Sequence, residues 1–329
     1  RFEAITELEY QQNTARRIRK SKPLPPWTSF VYITVFQFLT VIQLFISKPE
    51  IRQETAISYG ILCAVMWIYV LVSRSMGKTG FEPEILAFFA CSLNLAITAT
   101  ALQNAMYKQT ISILLGILLF TALGLYLRDL DRVIKTRHFM AAAAIVLLLI
   151  NIVFSEASHG ARNWITIFGM SLQPSELTKI CFIFAGAAAL DRLFEKRNLI
   201  GFMCLSGFCL LSLAIMSDFG TAAIFFITFL VIAYLRSGDF ATLSLITGGA
   251  VGALLLVLRF KPYVAERFAV WGHAWEQASD MGYQQVRTMS AAASGGLIGV
   301  GSGNGWLHTV AASETDLVFG VLCEEWGLI

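Results

Sequence analysis

Three polar clusters interrupt an otherwise apolar chain, and each carries side chains that can handle protons or anions. The first runs from His159 to Lys179 (HGARNWITIFGMSLQPSELTK). Pro174 and the SxxT spacing from Ser175 mark a helix start there. Glu176 and Lys179 stand three apart on its first turn, so they share a face. An ionisable pair at the head of a membrane helix is costly unless it serves a cavity or is well paired. A plain interfacial salt bridge that fixes the helix end is the simpler reading. The second cluster is Ser217-Asp218-Phe219-Gly220-Thr221, between two apolar runs. Asp218 can N-cap the helix that follows, or offer a carboxylate on the same side as Glu176. The third is WGHAWEQASDMGYQQVRTMSAAASGGLIGVGSGNGWLH, then ASETD. Here Glu276 and Asp280 are the acids nearest Tyr283 and Gln284. A loop carboxylate beside a membrane cavity can act as a general base. Asp316 follows Thr315, and Glu324 and Glu325 lie deeper in the final apolar run, where they need partners.

Other chemistries lack their residues. His159, His273 and His308 are scattered, with no HxxxH or HExxH, so a zinc site built from spaced histidines is not expected. No GxSxG occurs. The glycines from Gly295 to Gly305 permit tight turns but do not form GxGxxG after a strand, so no dinucleotide site is supported. The six cysteines all fall inside apolar segments without CxxC spacing and read as small buried apolar residues. No nucleic-acid partner is expected.

The elements that must position these clusters are membrane helices. Of 329 residues, 56% are hydrophobic and 14% charged, against about 25% charged in a soluble domain. Uncharged runs such as residues 139–154 (FMAAAAIVLLLINIVF) approach the roughly 20 residues that cross a bilayer core. The expected fold is all-α: a polytopic transmembrane helical bundle with helices at 29–47, 57–73, 86–104, 110–127, 139–155, 175–191, 199–216, 220–236 and 241–258. A tenth begins near 316. Residues 259–315 form a long loop rich in glycine, and residues 1–28 a polar tail ending at Trp27. The chain opens on Arg1 and stops inside an apolar run at Ile329, which reads as a segment of a longer protein.

Lysine and arginine placement sets the orientation. With the N-terminus cytoplasmic, the inner segments collect the basic tail, Arg74, Lys78, Arg128, Arg132, Lys135, Arg137, Arg192, Lys196, Arg197 and Arg236, a majority of the basic residues. The positive-inside rule then puts 156–174 and 259–315 outside. All three polar clusters land on one face of the membrane.

Four blocks carry a family likeness: GARNWITIFGMSLQPSELTK, SDFGTA, GYQQ followed by ASGGLIGVGSGNGW, and TDLVFGVLCEEWGLI. In order and spacing they resemble the SEDS proteins (shape, elongation, division and sporulation), which include FtsW, RodA and SpoVE. The resemblance covers roughly 86–329, and the helices within 29–85 look like an N-terminal addition of two. It implies a peptidoglycan glycosyltransferase in the bacterial cytoplasmic membrane. Such an enzyme polymerises lipid II, a disaccharide-pentapeptide on undecaprenyl pyrophosphate, at the outer face. Its implied partners are a class B penicillin-binding protein and membrane lipid. A divalent cation such as Mg or Mn is an option the resemblance leaves open.

The resemblance implies substrate-binding roles for Arg162, Gln173, Ser175, Glu176, Lys179, Asp218, Tyr283, Gln284, Thr315 and Asp316, with Arg162 and Lys179 the cations for the diphosphate. The catalytic carboxylate is Glu276 or Asp280. The family places its Asp six residues before the Tyr, which lands here on Gln277. The family's Glu in PExxTDF likewise falls on Ala312. These departures keep two alternatives open, a lipid II transporter (flippase) and a non-catalytic scaffold of the cell-wall machinery.

Overall fold

The computed structural model describes residues 26–102, 105–158, 161–167, 170–190, 196–237, 240–260 and 270–328. Helices dominate it, as the apolar runs require. In a bilayer each backbone N–H and C=O must be satisfied within its own segment, which the helix does locally. Among the described residues five helices are long and apolar enough to cross a membrane: α1 (Pro26–Ser47), α2 (Arg52–Ser75), α3 (Glu82–Ala101), α4 (Met106–Tyr126) and α6 (Arg137–Phe154). A short α5 (Leu130–Lys135) precedes α6, with the Asp129 side chain capping it at the Arg132 N–H. Further along come α7 (Pro174–Leu190), α8 (Lys196–Ile215), α9 (Phe219–Ser237) and α10 (Phe240–Phe260). Each expected helix is present within a few residues of its expected bounds. The tenth is α12 (Val318–Trp326).

Three features were not anticipated. Between α6 and α7 the chain forms an antiparallel three-stranded sheet of β1 (Glu156–Ser158), β2 (Ala161–Ile167) and β3 (Met170–Leu172), in that order. Within the long polar interval lies α11 (Tyr283–Gly295), flanked by 3-10 turns at Ala274–Gln277 and Leu307–Thr309. Cys204 is exposed on the protein surface, whereas Cys209 and Cys323 are buried.

The chain divides into two compact units, residues 1–116 with 270–329, and residues 117–269. In the second, α6, α7, α8 and α9 pack around Leu148, Phe182, Phe202, Cys209, Leu213 and Phe225. Gly186 permits this: a Cβ there would lie 2.8 Å from both Ile232 and Phe202. Small residues matter because helix association in lipid depends on close packing, not on expulsion of water.

In the first unit, Ile97, Ala291, Leu307, Val310 and Val321 form a core joining α3, α11 and α12. Polar bonds hold its N-terminal helices together. Gln37 donates to Ser92 at 2.9 Å, the Tyr59 hydroxyl to the Ser92 carbonyl at 2.8 Å, and Trp67 to Thr34 at 3.0 Å. At the α2–α3 turn the buried Glu84 accepts from the Tyr69 hydroxyl and pairs with Lys78. Many large apolar side chains, among them Phe38, Ile46, Ile68 and Val153, point outward, as lipid-facing residues do.

Candidate functional site

The polar clusters fall into two groups, one in each unit. In residues 117–269 the first group is built by the sheet and the starts of α7 and α9. The β2–β3 hairpin pairs Ile165 with Leu172 and Ile167 with Met170, delivering the chain to Pro174. Arg162 stands opposite Ala157 on β2; its side chain, and all of His159, lie outside the described residues.

Pro174 opens α7 as its first residue, where a missing N–H costs nothing. Ser175 is therefore inside the helix and not its cap, and its buried hydroxyl finds no hydrogen-bond partner among the described residues. Thr178 bonds instead to the Pro174 carbonyl at 3.0 Å. On the next positions Lys179 Nζ lies 2.7 Å from Glu176 Oε2, with the glutamate the more exposed partner.

Asp218 is an N-cap: its Oδ1 accepts the Thr221 N–H at 3.1 Å. Its other oxygen receives Gln173 Nε2 at 3.4 Å, so the two clusters expected to share a side do touch. The turn before it is sharp. Ser217 adopts φ +58°, the left-handed cap position usually held by glycine. The Asp218 N–H then reaches back to the Leu213 carbonyl at 3.0 Å, closing α8.

In the other unit, the second group surrounds the start of α11. The Gln277 carbonyl accepts the N–H groups of Asp280 and Gly282 at 3.1 and 3.0 Å. This winds the segment so tightly that a Cβ on Gly282 would lie 2.9 Å from that same oxygen. The Asp280 carbonyl in turn accepts the Tyr283 N–H at 3.0 Å.

The two acids considered for catalysis differ in their engagements. Glu276 Oε1 lies 3.2 Å from His273 Nδ1. Asp280 is exposed, and its carboxylate makes no hydrogen bond or ion pair with the described residues. Gln284 donates to the Ala311 carbonyl at 3.0 Å, tying α11 to the turn that carries Thr315 and Asp316. That turn pivots on Ala312, at φ +62°, whose carbonyl accepts the Asp316 N–H at 2.9 Å. Thr315 and Asp316 are both exposed on it.

Two further residues take part: sequence reasoning missed Arg287, and it named Glu324 as needing partners without identifying them. Arg287 lies over the Tyr283 ring, 5.2 Å from its centroid, and 5.8 Å from that of Trp306. The four-residue spacing from Tyr283 was a legible signal for the first contact, but not for the second. The other is Glu324, fully buried, whose two oxygens accept the N–H groups of Trp306 and Leu307 at 2.9 and 3.0 Å. Its neighbour Glu325 is buried beside the Ser302 hydroxyl at 3.5 Å. Among the described residues no three of His, Cys, Asp and Glu gather as a metal-ligand set.

A family model described as a cell cycle protein family, FtsW/RodA/SpoVE, matches residues 84–329. The chain is 30% identical over 197 residues to a probable peptidoglycan glycosyltransferase FtsW from Escherichia coli O6:H1, a match covering 58% of this chain and 48% of that protein. It is 28% identical over 242 residues to a peptidoglycan glycosyltransferase RodA from Mycobacterium bovis, covering 68% and 51%. The chain thus spans about half the length of these curated relatives. One solved chain, from work on structural coordination of polymerization and crosslinking by a peptidoglycan synthase complex, superposes with a TM-score of 0.56 at 23% identity. That match covers 76% of this chain and 71% of the other, and shows a common fold.

Proposed function

Since this multi-pass membrane chain belongs to the FtsW/RodA/SpoVE cell cycle protein family, we propose that it is a peptidoglycan glycosyltransferase acting on lipid II at the outer membrane face. The observation that carries the reading is the state of Asp280. It presents an exposed, unengaged carboxylate three residues before Tyr283, inside the matched segment. A general base must be free to accept a proton at the acceptor hydroxyl. Glu276 faces His273 instead, so the base is assigned to Asp280.

In the proposed reaction Asp280 takes the proton of the acceptor sugar 4-hydroxyl. That oxygen forms a bond to the donor anomeric carbon, and the bond from this carbon to the diphosphate oxygen breaks. The electron pair leaves on undecaprenyl diphosphate, whose charge Lys179 and Arg162 help to hold. Gln173, Ser175, Glu176, Asp218, Tyr283, Gln284, Thr315 and Asp316 are assigned to substrate binding. A class B penicillin-binding protein is the proposed partner, and the N-terminus is assigned to the cytoplasm.

One observation favours a second reading, a non-catalytic scaffold. Gln277 stands where the family carries its Asp, and its carbonyl is spent on winding the turn. Incubating the purified full chain with lipid II and a class B penicillin-binding protein, and measuring glycan polymer, separates the readings. Asp280→Asn should lower the rate about 10²–10⁴-fold, the usual cost of a lost general base, while Glu276→Gln polymerises near the parent rate. Polymer from both variants at the parent rate would remove this loop from the chemistry. Lipid II movement across vesicles without polymer would favour the transporter, and neither activity the scaffold.

A further inference from the structure

We propose that Arg287 is a preformed seat for the diphosphate of a polyprenyl-linked ligand; the polyprenyl part of that identity rests on the function proposed above. The guanidinium lies 5.2 Å from the Tyr283 ring centroid and 5.8 Å from that of Trp306, both inside the roughly 6 Å range of cation–π attraction. The two rings come from different places. Tyr283 is one turn back on α11, and Trp306 arrives from the glycine-rich loop, its backbone N–H held by Glu324. Contact with two separately anchored rings restricts a side chain that would otherwise sample many rotamers.

What the rings leave open is the guanidinium's capacity to bind an anion. Among the described residues Arg287 forms no ion pair, and it is exposed. Tyr283 and Trp306 are themselves 39% and 36% exposed, so the seat opens to its surroundings. Attraction to the rings occupies none of the guanidinium's hydrogen-bonding capacity, so its N–H donors stay available to oxygen acceptors. Those donors match two phosphate oxygens in parallel, a geometry a lysine cannot reproduce. An ordinary solvated surface arginine lacks this restraint. The seat also lies one helical turn beyond Tyr283, on the helix whose preceding turn holds Asp280.

The test reads binding, not turnover. The full chain in phosphatidylcholine nanodiscs is titrated with farnesyl diphosphate and, separately, with inorganic diphosphate. Arg287→Met keeps the aliphatic stem and removes the charge; it should weaken farnesyl diphosphate binding about tenfold or more, the scale of lost charge-assisted hydrogen bonds, with thermal melting unchanged. Arg287→Lys should bind several-fold more weakly than the parent. Equal affinity in the Met variant overturns the assignment. Should that variant fail to fold, equal affinity in the Lys variant overturns it as well. No farnesyl diphosphate binding by the parent, or binding matched by inorganic diphosphate or abolished by phosphatidylglycerol in the nanodisc, also overturns it. Diphosphate binding that depends on Arg287 in a chain that makes no glycan polymer would remove the enzymatic reading and leave this one standing.

Discussion

The backbone N–H of Trp306 donates to Glu324 Oε1 at 2.9 Å, across a separation of 18 residues. The Leu307 N–H takes the second oxygen, and the fit around the carboxylate is close enough that a Cβ on Gly305 would lie 2.6 Å from it. A second bond holds the same glycine-rich loop, where the Ser47 hydroxyl donates to the Ser302 carbonyl at 2.7 Å. A carboxylate on α12 and a hydroxyl at the end of α1 therefore hold one loop, and that loop delivers the Trp306 ring to Arg287.

Glu324→Gln should loosen this loop. An amide offers one oxygen where the carboxylate offered two, and its NH₂ would face an N–H donor. Leaving a buried donor unsatisfied costs about 1–3 kcal/mol. The melting temperature in detergent should fall, and iodide should quench Trp306 more strongly in a background where the other tryptophans are phenylalanine. Melting and quenching at parent levels would show that the two bonds do not hold the loop.

The α2–α3 turn offers a second stability test. Lys78→Met leaves Glu84 buried without its cation, and because Lys78 is one-third exposed the loss should be modest, about 1–3 kcal/mol. Replacing both residues by Met should recover most of it, since an apolar pair of similar size can substitute for a buried ion pair. Burial alone lowers the Lys78 pKa, but the bond and attraction to Glu84 outweigh it and hold the group above its ordinary value. A raised lysine contributes stability that is complete below its unfolded pKa and lost only as pH climbs through the folded one. The melting difference between parent and Lys78→Met should therefore persist from neutral to mildly alkaline pH. A difference that vanishes near neutrality would contradict the pairing.

The spans were legible because a bilayer demands long uncharged runs, and such runs leave little choice but helix. Asp218 as an N-cap was legible too, since the acid stands immediately before an apolar run. The rest depended on contacts that composition does not encode. The stretch from Tyr283 to Gly295 reads as polar loop because it buries only a narrow face, chiefly Val286 and Ala291, against α12 and its neighbours. The β2–β3 hairpin is too short for a strong alternation to stand out. Arg287 beside the Trp306 ring and Glu324 on the Trp306 N–H join residues far apart in sequence, through a loop whose glycines at φ +97° and +84° (Gly301 and Gly303) set its path. No spacing rule reaches across that loop.

Lys179 carries a prediction about role. Lys179→Ala should depress lipid II polymerisation more than Lys196→Ala, because Lys179 is assigned to the anionic substrate. Its salt bridge to Glu176 at 2.7 Å supplies the competing structural account. The double change Glu176→Met/Lys179→Met distinguishes them. If the pair only fixes the head of α7, the apolar replacement should restore activity, and Lys179 leaves the substrate site. Continued loss of activity in a folded double variant keeps it there.

Orientation is testable without any enzymology. The proposed inward bias of Lys and Arg places Ser75 on the cytoplasmic side and Ser279 and Asn304 on the outer side. All three side chains are exposed in the folded chain, so accessibility should depend on the membrane and not on burial. With the six native cysteines changed to alanine, single cysteines at these positions are treated with a membrane-impermeant maleimide on intact cells. Ser279→Cys and Asn304→Cys should label at once, and Ser75→Cys only after permeabilisation. Asp280 is the immediate neighbour of Ser279, so this labelling also reports the side on which the proposed base meets its substrate. The reverse pattern would put Asp280 in the cytoplasm, where no outer-face polymerisation could use it, and the proposed function would fail with the topology.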